Sequence, residues 1–94
     1  GSIPLGTAIM TYFVYLIVAH LKNNKKISYV GYTNNIKKRL NLHNNGKGAK
    51  FTRGKTWKLV YYKKYDSKSI AMQKEFKLKK NYKLRKKIKE INGV

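Results

Sequence analysis

A chain of 94 residues has room for one small domain, burying about 60% of the surface its unfolded form exposes. Its 23 Lys+Arg against 3 Asp+Glu give a formal charge of +20, which points to a polyanionic partner and excludes a catalytic centre built on several carboxylates. The absence of cysteine removes disulfides, thiolate zinc sites and a cysteine nucleophile, while 41% hydrophobic and 13% aromatic content is too much for a disordered basic tail.

Residues 1–9, ahead of Met10, read as a tail foreign to the domain, which would then run as a single unit over 10–94. The uncharged stretch from Ile3 to Ala19 lacks the basic start of a signal peptide and is broken by Pro4, Gly6, Thr7 and Thr11. No run reaches the roughly 20 apolar residues that a membrane span needs. The apolar, β-branched and aromatic stretch from Tyr12 to Val18 predicts a central strand, and a polar turn over residues 22–26 leads to a second strand over 27–32. Pairing as a hairpin would bring Tyr15 and Tyr29 onto neighbouring strands, with Gly31 placed where another backbone or a ligand can come close.

Thr33 or Asn34 can cap a helix to about Asn44, with Ile36 and Leu40 as its core stripe and Arg39 and His43 flanking it about 100° away. Gly46 suits a left-handed cap, and residues 47–55 read as a flexible basic loop. Residues 57–65 predict a third strand, interrupted by lysines and so placed at an edge. Asp66 or Ser67 should cap a helix over 68–80 with Ile70, Ala71, Met72 and Leu78 as core candidates. Asn81 marks a bend, and a last basic helix over 82–91 carries Leu84, Ile88 and Ile91 at helical spacing.

Residue types alone leave several roles open. Any one of eight tyrosines is more commonly a strand residue than a catalyst, and Arg39 can be one more member of a solvated basic face or a two-pronged phosphate clamp. His43 can orient a nucleophile or a phosphate, or pack beside Leu40. Asp66 is most simply a cap and Glu90 lies near the chain end, so Glu75 is the candidate for a hard metal; its bland role is an exposed ion pair with Lys79, four residues on. Lys47, Lys50, Arg53 and Lys55 can grip a nucleic-acid backbone with Phe51 stacking on a base, or can simply be solvated.

Taken together, Phe13-Val14-Tyr15, Tyr29-Val30-Gly31, Arg39, His43 and Glu75 stand in the order of the GIY-YIG nuclease superfamily, and the chain resembles its small stand-alone members from about Tyr12 to Lys79. The resemblance implies an α/β (α+β) fold, a three-stranded mainly antiparallel sheet flanked by helices. It further implies metal-dependent hydrolysis of phosphodiester bonds in DNA, inside the cell, in the cytoplasm or the nucleus. Tyr29 or Tyr15, with Tyr29 favoured, would handle the proton of the attacking water; Arg39 would stabilise the phosphate and Glu75 would anchor one Mg²⁺ or Mn²⁺. The +20 field is expected to lower the titration of the tyrosine concerned. A non-catalytic basic module with the same fold is the alternative, RNA is the alternative polyanion, and a partner protein directing substrate choice is left open. Asn81 and Asn92 both compete for the asparagine that some members carry late in the domain.

Overall fold

The computed structural model describes residues 11–21 and 24–93; the expected tail and residues 22 and 23 of the expected hairpin turn lie outside these. Three strands, β1 (Tyr12–His20), β2 (Lys26–Thr33) and β3 (Trp57–Tyr65), form an antiparallel sheet in the order β2-β1-β3, with helices α1 (Ile36–Asn44), α2 (Lys68–Lys80) and α3 (Tyr82–Ile91) around it. The expected α+β fold is the one observed.

β1 lies in the middle and is buried from Val14 to Ala19, which is why its sequence is continuously apolar rather than alternating. Val14, Leu16 and Val18 point to one face, where they pack with Val30, Val60, Ala71 and Leu78 and with Ile88 of α3. Tyr15, Ile17 and Ala19 point to the other, against Trp57, Tyr29, Leu40 and Leu59. The sheet is thus covered by α2 and α3 on one side and α1 on the other. β3 is an edge strand, as its lysines predict, but it carries a bulge that the sequence did not reveal: Leu16 pairs with Tyr61 and Ile17 with Leu59, so Val60 is the extra residue. The bulge reverses the parity of β3, letting Trp57 and Leu59 face α1 while Val60 reaches the opposite core.

The α1 cap differs from expectation by a residue or two, whereas that of α2 falls on one of the two residues expected. Thr33 is still strand, so Asn35 caps α1, its side chain accepting from the Lys38 N–H at 3.1 Å. Ser67, not Asp66, caps α2. The expected bend at Asn81 is a shared cap, ending α2 and accepting from the Leu84 N–H to start α3. Gly46 is left-handed at φ +73°, as its position after α1 predicts. Of the expected core residues in the last two helices, Ala71, Leu78 and Ile88 are buried, whereas Ile70, Met72, Leu84 and Ile91 are exposed. α2 rests on the sheet through the stripe of residues 71 and 78, leaving 70 and 72 about 100° to either side; α3 buries one residue, Ile88, in its second half.

Gly31 lies directly across from Tyr15. A Cβ built on Gly31 would collide with the Tyr15 hydroxyl and come within 2.6 Å of Cζ, so the group that comes close to this glycine is the Tyr15 phenol. Gly31→Ala should therefore destabilise the fold by about 1–3 kcal/mol through overpacking. In a Tyr15→Ala background that cost should disappear, a coupling that urea midpoints of the four proteins of the double-mutant cycle would measure.

Candidate active site

An open cleft of about 460 Å³ runs along the outer edge of β2. It forms there because β2 has no further strand beside it, while α1 starts immediately after it on one face of the sheet and α2 crosses the other. Tyr15, Tyr29 and Arg39 line it from the α1 side, and Lys68, Glu75 and Lys79 line it from α2. The structure thus brings together four of the five residues expected to do chemistry. The fifth, His43, does not line the cleft: it is completely buried behind Tyr15.

The Tyr15 hydroxyl is hydrogen-bonded to His43 Nε2 at 2.9 Å, and His43 Nδ1 to Thr52 Oγ1 at 2.8 Å. Burial holds the His43 imidazole below the ordinary histidine value, with the Arg39 charge acting in the same direction. Burial also pushes Tyr15 up to about 12, despite the Arg39 guanidinium beside it, which favours the phenolate. This reverses the expectation that the charge of the chain lowers a catalytic tyrosine. The field of +20 is spread over solvated lysines and screened over roughly 10 Å, whereas loss of hydration acts on the phenolate directly.

Tyr29 sits in an aromatic cluster, its ring 5.2 Å from that of His43, 6.4 Å from Trp57 and stacked on Phe51 at 6.2 Å. Phe51 belongs to a 3-10 turn, Lys50–Thr52, inside the segment expected to be a flexible loop. That segment is pinned instead: Thr52 is fully buried, and the Trp57 indole N–H donates to the Thr52 carbonyl at 2.9 Å. Lys55 lies over the Phe51 ring, 5.4 Å from its centroid, and donates to the Phe51 carbonyl at 3.0 Å. Lys47, Lys50 and Arg53 are exposed beside it and do not line the cleft.

Arg39 has a buried Nε with no hydrogen-bond partner among the described residues, an N–H donor that an oxyanion in the cleft would satisfy. Glu75 is 14% exposed and its Oε1 pairs with Lys79 Nζ at 2.7 Å, so the ordinary i,i+4 ion pair is present and holds the Lys79 ammonium above its usual value. Among the described residues no three His, Cys, Asp or Glu side chains gather as a metal cluster. One carboxylate in an open cleft fits a hard cation held mainly by water and substrate oxygens, and does not fit an all-protein cage. Sequence reasoning missed Lys68 and Lys79 as cleft cations, although both fall on the helical face of Glu75, seven residues before it and four after. It also missed Asn34 and Tyr12, which line the cleft. Asn81 is occupied as a cap and the Asn92 side chain donates to the Ile88 carbonyl; neither lines the cleft.

A sheet edge that gathers a phenol, a guanidinium and one carboxylate from both faces defines an α+β domain of a particular type. Residues 11–89 match the model of the GIY-YIG catalytic domain, and the chain belongs to the GIY-YIG family. The segments that resemble the family's two triplets, Phe13-Val14-Tyr15 and Tyr29-Val30-Gly31, lie on β1 and β2. Its relatives are small UPF0213 proteins. One from Oceanobacillus iheyensis is 44% identical over 69 residues, spanning 72% of this chain and 76% of the relative. Another from Clostridium perfringens is 43% identical over 88 residues, spanning 85% and 90%. The solution NMR structure of a UPF0213 protein from Bacillus halodurans is 34% identical, with a TM-score of 0.43 over 83% of this chain and 80% of that one.

The depressed His43 value has a consequence for stability. Between the ordinary histidine value of 6.5 and the lower folded value, the unfolded chain takes up a proton that the folded chain refuses, so stability is complete above 6.5 and falls as pH drops through that window. With only three carboxylates in the chain, acid titration interferes little above pH about 5. Unfolding free energies from urea titrations should be level from pH 7.5 to about 6.5 and decline below it, by at most about 1.4 kcal/mol per pH unit, and His43→Gln should flatten the decline.

Proposed function

We propose that the chain is a divalent-metal-dependent endonuclease that hydrolyses phosphodiester bonds in DNA. The observation that carries this reading is the shared cleft, in which a phenol bonded to a buried imidazole, an arginine with an unsatisfied Nε and the carboxylate of Glu75 border one open volume. Arg39 would hold two non-bridging phosphate oxygens with its planar fork, Nε–H finding there the acceptor it lacks. Tyr15 would take a proton from the attacking water as it passes its own to His43 Nε2, so that no free phenolate forms at a group whose titration lies near 12. The water oxygen bonds to phosphorus as the bond to the 3′ oxygen breaks, and the departing oxygen takes its proton from solvent. Glu75 would hold one Mg²⁺ or Mn²⁺, which when bound neutralises charge on the phosphate and the leaving oxygen.

The hydrogen bond to His43 shifts the choice of proton carrier from Tyr29 to Tyr15, because it gives the Tyr15 proton a destination; Tyr29 meets the same imidazole ring edge to face. Tyr29 would then help to seat the water or the phosphate. Lys68, Lys79 and the loop residues Lys47, Lys50, Arg53 and Lys55 would grip the backbone, with Phe51 at the margin as a stacking surface. RNA would make the same backbone contacts, and parallel cleavage of the two polymers decides between them. A second reading, a non-catalytic nucleic-acid-binding module, is favoured by the Glu75–Lys79 pair, which already neutralises the one carboxylate lining the cleft.

Glu75→Gln should abolish cleavage of DNA while leaving its binding nearly unchanged, as measured by cleavage with Mg²⁺ or Mn²⁺ and by fluorescence anisotropy; full activity in this variant would remove Glu75 from the metal site. If the wild type cleaves neither DNA nor RNA with any divalent ion, the binding-module reading takes over. Binding itself should weaken by a factor of roughly 10³ or more between low and moderate salt if six or more phosphates are contacted.

Tyr15→Phe should lower the cleavage rate by about 10²–10⁴, the worth of a positioned acid or base, and Tyr29→Phe should cost less. Because His43 must be neutral to accept a proton, the wild-type rate should rise with pH through a step lying below 6.5 and stay flat above it. A larger loss in Tyr29→Phe, or an acid step above 6.5, would return the proton work to Tyr29.

A further inference from the structure

The proton account of one hydroxyl fixes the protonation state of the whole buried chain behind Tyr15. Thr52 Oγ1 donates its single hydrogen to the Ala49 carbonyl at 2.8 Å. Toward His43 Nδ1, also 2.8 Å away, it can therefore only accept, and Nδ1 must carry the hydrogen. A neutral imidazole has one N–H, so Nε2 is left with a lone pair, and the Tyr15 hydroxyl 2.9 Å away is its donor. The site is closed on this side. Thr52 and His43 are both fully buried, and a Cβ on Gly48 would collide with His43 Nδ1 and lie 3.0 Å from Cε1, so the backbone of Gly48 covers the same edge of the ring.

Building on the nuclease reading above, we propose that Thr52 is a positioning residue for catalysis: it locks His43 in the Nδ1–H tautomer and so keeps Nε2 free to receive the Tyr15 proton when water attacks the phosphate. Thr52 touches neither substrate nor the reacting atoms and acts through the imidazole. The balance is complete, since Tyr15 gives its hydrogen to Nε2, takes one from water, and the resulting imidazolium retains its Nδ1–H bond to Thr52. Without the Thr52 acceptor the neutral imidazole would be free to place its hydrogen on Nε2 instead, donating to Tyr15 and blocking the transfer. The titratable or charged groups around the imidazole are Tyr15 from β1, Tyr29 from β2 and Arg39 from its own helix; Trp57 of β3 and Thr52 itself do not titrate.

The test uses Thr52→Val, which keeps the shape and removes the acceptor, and Thr52→Ser, which restores the hydroxyl. Long-range ¹⁵N–¹H correlation of the His43 ring at pH 7.5 reports the tautomer independently of activity. Expected are the Nδ1–H form in the wild type and in Thr52→Ser, and Nε2–H or an exchanging mixture in Thr52→Val. The rate constant for cleavage should fall by roughly 10²-fold in Thr52→Val with KM little changed, and stay within about threefold of wild type in Thr52→Ser. An Nε2–H wild type, an unchanged tautomer in Thr52→Val, or a wild-type rate in Thr52→Val despite a changed tautomer would each overturn the proposal. Should Thr52→Val not fold, the wild-type and Thr52→Ser spectra still decide the tautomer. An inactive wild type that nevertheless shows the expected tautomer shift counts against the nuclease reading, and with it against a catalytic use of the lock, while the lock itself is upheld.

Discussion

Tyr15 crossing over Gly31 to reach His43 is the contact around which the rest of the molecule is arranged. A tyrosine near the middle of the central strand must send its ring out of the sheet on the α1 side, and the ring can lie flat along β2 only because the residue opposite has no Cβ. Once buried, its hydroxyl needs a partner, since an unpaired polar atom there costs about 1–3 kcal/mol. His43, on the last turn of α1, meets that need, and its second nitrogen in turn needs Thr52. The demand for hydrogen bonds thus propagates from β1 through α1 to the 3-10 turn, and each step fixes one more element against the sheet. The Asn44 side chain completes the bracket, accepting from the Trp57 N–H, so the start of β3 is tied to the end of α1.

The electrostatics separate into a diffuse part and a local part, and the two do not do the same thing. Twenty net positive charges create a potential suited to holding a polyanion, but they are solvated and screened. Inside, what decides protonation is burial. Tyr15 stays a phenol and His43 stays neutral because each has lost the water that would stabilise its ion. In the proposed mechanism such a pair is inert until a nearby event makes transfer favourable. Glu75 stands at the boundary between the two regimes, mostly buried yet paired with a half-exposed lysine, so an incoming phosphate and cation would have to rearrange one existing ion pair.

The strands and helices were legible because each carries an unambiguous local pattern. The run from Tyr12 to Val18 is too apolar for anything but a strand covered on both faces, and the lysines of β3 mark an edge. What was not legible rests on contacts distant in sequence. The bulge at Val60 depends on which core each side of β3 must fill, and the exposure of Ile70, Met72, Leu84 and Ile91 on how few residues of the two terminal helices the sheet takes up. Arg39 and His43 looked equivalent, one turn apart on one helix flank. They part in the fold: Arg39, nearer the helix start, lines the cleft, while His43, a turn further on, is buried beside the aromatic cluster. Thr52 carried no signal at all, being a small polar residue amid lysines and glycines.

That position of Thr52 joins two jobs that the sequence kept apart. Residues 47–55 hold exposed cations suited to a nucleic-acid backbone, and the same short turn sends one side chain inward to the imidazole. Phe51 stacks on Tyr29 from that turn, and the Trp57 indole holds the Thr52 carbonyl from β3, so both neighbours of Lys50 and Arg53 in the turn are tied to the aromatic cluster. If these cations grip a backbone as proposed, a surface built this way has little freedom to adapt its shape. The spacing between the outer cations and the buried Tyr15–His43 pair is set by a few short hydrogen bonds rather than by a long loop, which the proposed mechanism would need for a held phosphate to meet a proton acceptor at fixed geometry.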